Sequence, residues 1–241
     1  MLRVLLIVIT IFIFAIPLGL PAMLFCWLIG FISADTQAEV SLVYLRLLMA
    51  AILFLAGTRV KVSGTDNIPQ KEPCLFVCNH RSYFDIFLQY QYIRRICGTV
   101  AKAEWKKIPL LRTWMKFIRC AFLDRKSLRS GVAVTKEVEA ELNAGHAYCI
   151  YPEGTRGHIN GLLPFHEGSF KSALVTGVPI VPVTFVHTDD IYENHRPFVR
   201  VATVSVVFGK PIPTKGLDRA AQKALPAQIH KQMEETYFSL V

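Results

Sequence analysis

The feature that most constrains this chain is the alternation of short apolar stretches with amphipathic stretches from about residue 59 onwards. Stretches such as "CLFVC" and "AYCIY" have the length and composition of buried strands. Between them, the sequence places Val134, Val138 and Leu142 on one helical face. Gly145 follows where a helix C-terminal cap is expected. The alternation predicts an α/β domain with a mostly parallel central sheet flanked by helices.

Further stretches extend this pattern towards both ends of the domain. The remaining strand-like stretches are "TRVKVSG", "CAFL", "IVPVTFV" and "TVSVVFG", and the remaining helix-like ones are "DIFLQYQYIRRI" and "GSFKSALVTG". Another helix is predicted from apolar residues at helical spacing, namely Leu110, Leu111, Trp114, Met115 and Ile118. The C-terminal tail is predicted to be helical with a break near Pro226, because proline lacks the amide hydrogen that a helix uses.

The N-terminal part of the chain has a different composition. No charged residue occurs from Val4 to Ile32, a run long enough to cross a bilayer. A second apolar stretch, Leu47 to Ala56, is too short to span unless all of Leu42 to Thr58 takes part. We therefore divide the chain into an N-terminal membrane segment at residues 1–57, with one or two helices, and a folded domain at residues 58–241.

Two arrangements of the membrane segment fit its sequence. A cleavable signal peptide fits poorly, because the apolar run is too long and is interrupted by Pro17 and Pro21. These prolines can bend the segment into a hairpin within one leaflet. With two spans instead, the basic residues Arg3, Arg59 and Lys61 place both chain ends and the domain in the cytoplasm.

The overall charge favours an anionic partner. The net charge is +9 and the isoelectric point is about 9.3. Such a balance suits a membrane surface or a phosphate-bearing substrate. Nucleic acid is not expected as a partner, because no nucleic-acid-binding motif accompanies the charge.

The six cysteines show no zinc-ligand spacing and no disulfide-scaffold pattern, and no metal site is predicted from them. Cys74, Cys78 and Cys149 lie in strand-like apolar runs, where they are expected to be small buried hydrophobic residues. Reduced thiols indicate a domain on the cytoplasmic side of the membrane.

Three polar clusters come directly after predicted strands, which is where parallel sheets place their sites. The first is "CNHRSYFD", in which Asp85 follows His80 by five positions. Ser82 and Asp85 also have the spacing of a helix capping box, so Asp85 either caps the next helix only or also turns back to the imidazole. A carboxylate in contact with the ring would fix its tautomer, as a general base requires.

The second cluster is "AFLDR", where the Arg125 guanidinium suits a phosphate and Asp124 can brace it. A surface turn with an ion pair is the alternative. The third cluster is "YPEGTRG", after the strand "AYCIY". Its glycine allows a ligand close to the backbone, and its threonine and arginine offer hydrogen-bond donors. An ordinary turn is the alternative for this cluster.

The ordered set "NHRSYFD", "CAFLDR", "YPEGTR" and "GVPIVPVTF" resembles the four sequence blocks of the glycerolipid acyltransferases, and among them the 1-acylglycerol-3-phosphate acyltransferases. The stretches "VKVSGTDNIP" and "AKAEWKKIPLLRTW" are similar to segments between those blocks. The resemblance covers residues 58–213. It implies the glycerolipid acyltransferase fold and makes residues 58–241 the catalytic domain.

The resemblance implies an activity and a set of site residues. The activity is transfer of a fatty acyl group from acyl-CoA or acyl-carrier protein to 1-acylglycerol-3-phosphate, giving phosphatidic acid for phospholipid biosynthesis at a membrane. The acyl donor is a co-substrate and no other cofactor is implied. His80 would be the general base and Asp85 would orient it. The residues implied for the acceptor phosphate are Lys102, Arg125, Glu153, Gly154, Thr155 and Arg156.

The sequence leaves alternatives to this activity open. His166 and Glu167 stand where the family often has lysines, which leaves another lysophospholipid or a lyso-aminolipid open as the acceptor. Cys120 replaces a glycine that is common in the family, and residues 178–183 are expected to help form an acyl channel. A non-enzymatic lipid-binding protein and a thioester hydrolase are the readings outside acyl transfer.

Overall fold

The structure is a computed structural model, and it describes residues 1–157 and 160–241. Within those residues, one sheet of seven strands has the order β1-β7-β6-β2-β5-β3-β4. The strands are β1 Arg59–Ser63, β2 Leu75–Cys78, β3 Cys97–Lys102, β4 Ala121–Leu123, β5 Ala147–Ile150, β6 Ile180–Val186 and β7 Thr203–Phe208.

The sheet is mostly parallel, which confirms the predicted fold class. In the centre, β2 pairs in parallel with β5 on one side and with β6 on the other. β3 and β4 continue the parallel arrangement to one edge. On the other side β7 runs antiparallel to β6, and β1 pairs in parallel with β7. The carboxyl ends of β2 to β6 therefore meet at one edge of the sheet, which we call the carboxyl edge.

Helices cover both faces of the sheet. They are α1 Leu2–Ala15, α2 Gly19–Gly30, α3 Ala34–Ala56, α4 Phe84–Tyr92, α5 Pro109–Phe117, α6 Leu128–Asn143, α7 Lys171–Thr176 and α8 Arg219–Phe238. One hydrophobic cluster joins the sheet to α3 and α4, and a second joins it to α6 and α8. The predicted helical face of α6, with Val134, Val138 and Leu142, is buried in the second cluster.

Three details differ from the sequence prediction. The strand β3 was not predicted, because Gly98 and the terminal Lys102 leave its sequence without a clear apolar pattern. The tail helix α8 is continuous through Pro226, since buried residues on both sides, Leu225 and Ile229, hold it against the sheet. Of the apolar residues at helical spacing in α5, Trp114 is buried and Leu111 is 36% exposed.

The N-terminal helices form a hairpin with α3. Between α1 and α2 the chain bends by 42°. The Arg3 guanidinium donates to the Leu55 carbonyl, and the Tyr44 hydroxyl donates to the Phe14 carbonyl. The start of α1 thus lies beside the end of α3, so the two run antiparallel. Among the described residues, α3 is the one helix long and apolar enough to cross a bilayer, with a second span if the bent pair counts as one.

The helix α3 also packs along its length against the folded domain at residues 58–241. At its start, Asp35 forms ion pairs with Arg119 and His146 of the domain. Further along, the Tyr44 ring stacks on Trp114 of α5 with 4.8 Å between ring centroids. Arg46 donates to two carbonyl oxygens at the end of α4. The turn between α2 and α3 consequently lies beside the domain.

Candidate active site

Two of the predicted clusters meet at the carboxyl edge because they follow neighbouring strands. β2 leads into His80, and β5 leads into the loop at residues 151–157. Two hydrogen bonds join the loops: the His80 amide donates to Glu153 Oε1 at 2.8 Å, and the Gly157 amide donates to the His80 carbonyl at 2.8 Å. The backbone of His80 is therefore held on both its N–H and its C=O side.

His80 and Asp85 form a buried pair. The His80 Nδ1 lies 2.8 Å from Asp85 Oδ2, the carboxylate is fully buried, and the histidine side chain is 18% exposed. Because an ionised carboxylate only accepts hydrogen bonds, the proton of the neutral ring belongs on Nδ1 and the lone pair on Nε2. A ring with this tautomer can take a proton from a hydroxyl group at its partly exposed side.

The same carboxylate also organises the turn before α4. Asp85 Oδ2 accepts hydrogen bonds from the amides of Arg81 and Ser82, at 2.7 and 2.8 Å. The Ser82 hydroxyl accepts from the Phe84 amide at 3.0 Å, one residue earlier than a standard capping box would have it. Asp85 thus stabilises the helix start and contacts His80 with one oxygen, so the two alternatives from sequence occur together.

Glu153 contacts backbone groups. Its Oε1 accepts from the His80 amide, and its Oε2 accepts from the Leu163 amide at 3.0 Å. Burial raises the pKa of this carboxyl group to about 7, although the two amide hydrogen bonds act in the opposite direction. Both oxygens are engaged in fixing two loops, one of which carries His80.

Gly154 and Thr155 form the outer part of the same loop. Gly154 has a φ of +68°, which favours glycine, and a Cβ atom there would lie 3.2 Å from the His166 ring. Thr155 is exposed. The loop therefore presents backbone and a hydroxyl group to solvent, with the His166 ring beside it.

Arg156 is held by a carboxylate that the sequence analysis did not single out. Its Nη1 donates to Glu193 Oε1 at 2.9 Å, and its guanidinium lies 3.8 Å from the centroid of the Tyr83 ring. The Glu193 side chain is fully buried. It also accepts from the Ser82 hydroxyl at 2.6 Å and from the Tyr83 amide at 3.0 Å. Glu193 thereby connects the loop after β5 with the loop after β2.

More than half of the chain matches a known family model. The model, described as Acyltransferase, matches residues 59–186 of this chain.

The chain belongs to the acyltransferase family.

Similar proteins agree with this assignment. The human 1-acyl-sn-glycerol-3-phosphate acyltransferase alpha is 31% identical over 192 residues, which cover 78% of this chain and 67% of the human protein. The probable 1-acyl-sn-glycerol-3-phosphate acyltransferase of Mycoplasma pneumoniae is 28% identical, with 79% of this chain and 75% of that protein covered. The chain spans about two thirds of the length of its mammalian relatives.

A solved structure shares the fold of this acyltransferase. The 1-acyl-sn-glycerophosphate (LPA) acyltransferase PlsC from Thermotoga maritima superposes with a TM-score of 0.85 at 22% sequence identity. The match covers 99% of this chain and 95% of that one, so it includes the N-terminal helices as well as the sheet.

Lys102 and Arg125 of the acyltransferase lie further along the carboxyl edge. Lys102 is the last residue of β3, and Arg125 follows β4, which is three strands away from β2. With strands spaced about 4.8 Å apart, Arg125 begins about 14 Å from the end of β2. Lys102 forms an ion pair with Glu104 at 2.9 Å, and both Lys102 and Arg125 are exposed. The structure thus brings His80, Asp85, Glu153 and Arg156 together, and it places the other two cations outside that group.

A second ion pair accompanies the one at Arg156. The Arg81 guanidinium donates to both oxygens of Asp189, at 3.1 and 2.7 Å, and the pair is almost fully buried. Asp189 and Glu193 both belong to the segment that follows β6, and β6 ends at the same carboxyl edge. The rule that selected the other clusters would also have selected "HTDDIYEN", had it been applied to β6.

Proposed function

We propose that this acyltransferase moves a fatty acyl group from acyl-CoA or acyl-carrier protein to the free glycerol hydroxyl of 1-acylglycerol-3-phosphate, giving phosphatidic acid. The observation that carries the proposal is the buried pair of His80 and Asp85, with the His80 backbone held by Glu153. The names of relatives at about 30% identity support this acceptor.

The chemistry needs one activated hydroxyl group and an aligned thioester. His80 Nε2 accepts the hydroxyl proton while the glycerol oxygen attacks the thioester carbonyl. The tetrahedral intermediate then releases the donor thiolate, which takes the proton back from the imidazolium. Asp85 stabilises the imidazolium in between, because its carboxylate lies 2.8 Å from Nδ1. The acyl group passes directly between the substrates, with no covalent enzyme intermediate.

Arg156 is the first candidate for the acceptor phosphate. Its side chain is 23% exposed and uses one nitrogen for Glu193, which leaves other N–H groups of the guanidinium for a phosphate oxygen. Gly154 and Thr155 would add a backbone and a hydroxyl contact beside it. We assign Lys102 and Arg125 a weaker, longer-range attraction for the phosphate, since they are exposed at the outer strands. Glu153 would position His80 rather than touch the phosphate.

The N-terminal residues 1–57 would attach the catalytic domain, residues 58–241, to one leaflet of a membrane. The outer sides of α1 and α2 are apolar and exposed, with Phe12, Leu24 and Phe25 each more than half exposed. Since Asp35 pairs with Arg119 of the domain, the turn and the domain belong on the same side of the bilayer, which the positive-inside pattern makes cytoplasmic. Cysteines introduced at residues 33–41 should escape labelling from outside; labelling there would overturn this arrangement.

An acceptor panel with the purified full chain tests the activity. The chain should acylate 1-acylglycerol-3-phosphate with acyl-CoA, and His80→Ala should lose about 10³-fold of that rate while keeping its fold. Full activity of His80→Ala would refute the mechanism. Release of free fatty acid at the same rate without acceptor would instead make the protein a thioester hydrolase.

A second acceptor class is favoured by one observation. The His166 ring lies against Gly154, next to Glu167, where the family resemblance leads one to expect lysines. A less basic loop suits a lysophospholipid with a larger, zwitterionic headgroup. In the panel, faster acylation of such a lysophospholipid than of 1-acylglycerol-3-phosphate would select this alternative. Arg156→Ala should then slow both acceptors equally.

A further inference from the structure

The positive charge of the protein is concentrated in one short part of the catalytic domain. Residues 102–129 contain nine Lys or Arg and two acidic residues, a net of +7 out of +9 for the whole chain. The phosphate of one acceptor needs one or two of these cations. The remaining charge points to a larger anionic partner.

Exposed apolar side chains lie among these charges. Trp105, Ile108 and Leu128 are 37%, 45% and 93% exposed. Clustered exposed apolar groups mark surfaces that contact membranes or other proteins. We use the name basic apolar patch for Trp105, Lys106, Lys107, Ile108, Leu128 and Arg129.

The two segments of the basic apolar patch are neighbours. Residues 105–108 belong to the turn after β3, and residues 128–129 begin α6, which follows β4. The Lys106 ammonium lies 5.2 Å from the ring of Phe122 in β4, and Lys106 and Ser130 line the same surface cleft. Because β3 and β4 end at the carboxyl edge, the patch lies at the same end of the strands as His80.

The patch also adjoins the N-terminal hairpin. α5 starts directly after the turn and packs through Trp114 on Tyr44 of α3. Cys26 of α2 belongs to the same hydrophobic cluster as Trp114. The apolar outer side of the hairpin and the basic apolar patch are thus connected through one packed group of helices.

We infer that the basic apolar patch is a second membrane-contact surface, located on the catalytic domain and specific for anionic lipid. Lysine and arginine attract the headgroups of acidic lipids, and tryptophan with aliphatic side chains enters the boundary between headgroups and acyl chains. Contact here would hold the carboxyl edge against the headgroup layer in which a lysophospholipid acceptor lies. An acidic protein would account for the charges, but it would leave the exposed Trp105, Ile108 and Leu128 unexplained.

Vesicle binding of the full chain tests this inference. The triple variant Lys106→Gln, Lys107→Gln, Arg129→Gln should bind vesicles of equal parts phosphatidylcholine and phosphatidylglycerol about 100-fold more weakly than the parent, because each of the three charges near an acidic surface contributes about fivefold. Binding to pure phosphatidylcholine should stay within about twofold of the parent. Equal binding by parent and variant to the acidic vesicles would overturn the inference.

A matched control removes the same charge at the opposite edge of the sheet. Lys210, Lys215 and Lys223 are exposed, and the chain at residue 212 pairs with the start of β6, away from the carboxyl edge. The variant with glutamine at these three positions should bind acidic vesicles within about twofold of the parent. If it loses as much binding as the patch variant, net charge and not the patch is responsible.

Tryptophan fluorescence tests the apolar part. A chain with Trp27→Phe and Trp114→Phe retains Trp105 alone. Its emission should be quenched by acidic vesicles whose lipids carry bromine on the acyl chains, and absence of quenching would contradict insertion.

The patch variant should also keep the parent's rate on a soluble short-chain lysophosphatidate and acyl-CoA, which separates this inference from the proposed activity. Unchanged vesicle binding with a higher KM for acyl-carrier protein alone would assign the patch to a protein donor instead.

Discussion

Two regions of the carboxyl edge carry the candidate site residues, and they differ in how firmly those side chains are held. Around β2 and β5, His80 and Arg156 are each bound by a buried carboxylate. Around β3 and β4, Lys102 and Arg125 are exposed to solvent. A proton transfer depends on angles and on distances of a few tenths of an ångström, whereas attraction of a phosphate works over several ångströms. The side chains of the first region are thus held by buried hydrogen-bond partners, whereas those of the second, loose region are exposed to solvent.

The largest effect should follow from Asp85→Asn. An amide can present its NH₂ group to the ring, which moves the ring proton to Nε2 and removes the base. We expect kcat to fall on the order of 10³-fold, because the ring can no longer accept the hydroxyl proton. Steady-state kinetics measures this, with circular dichroism and thermal melting as controls for folding. A variant with the parent's kcat would show that the first region does not need its carboxylate.

Glu193→Ala should have the next largest effect. It removes the acceptor for Arg156, for the Ser82 hydroxyl and for the Tyr83 amide. Leaving these groups unpaired should cost about 3 kcal/mol of unfolding free energy and lower kcat/KM about 10- to 100-fold. Glu193→Gln keeps an acceptor oxygen and should lose much less in both measurements. If both variants melt and react like the parent, the link between the two loops has no role.

Glu153→Gln should change how the stability of the protein depends on pH. Burial raises the pKa of this carboxyl group from 4.5 to about 7 in the folded protein. The fold favours the protonated form of this group. Its contribution to the free energy of unfolding is therefore fully present below pH 4.5 and is lost as the pH rises through about 7. That contribution amounts to about 3 kcal/mol. Urea unfolding measured between pH 4.5 and pH 7 should show a decrease in the free energy of unfolding in the parent and none in the variant. A parallel fall in both would place the titration on another group.

The smallest effect should come from the loose region. Lys102→Ala and Arg125→Ala remove exposed charges, which usually contribute about 0–1 kcal/mol. We expect KM for the phosphate acceptor to rise about two- to fivefold in each, with kcat unchanged, and the difference to vanish in high salt. A loss comparable to that of Asp85→Asn would mean that this region is as firmly built as the other.

The alternation of strands and helices was sufficient to predict the sheet, and the position of His80 after a strand pointed to the site. The strand β3 escaped prediction because of a packing requirement. A Cβ atom on Gly98 would lie 2.3 Å from both the Tyr148 ring and the Arg119 carbonyl, so the strand needs a glycine that looks like a break. Such a requirement depends on residues distant in sequence.

Glu193 was missed for a different reason. It lies in a polar stretch that is typical of a surface loop, and its burial arises only when that stretch folds over the loops after β2 and β5. Asp85 was recognised because its partner is five residues away. The partners of Glu193 are between 37 and 111 residues away, so its position after β6 marks the segment but not the residues that it contacts.

The ion pair between Asp35 and Arg119 has a mechanical consequence. The helix α3 is about 34 Å long at 1.5 Å per residue. It is attached to the domain near its start through Asp35 and passes directly into the sheet at its other end, through β1. The hairpin and the sheet are therefore joined at both ends of α3. Under the proposed function, a tilt of these helices in the lipid would tilt His80 by the same angle, and the depth of the hairpin in the bilayer would set the height at which His80 meets its substrates.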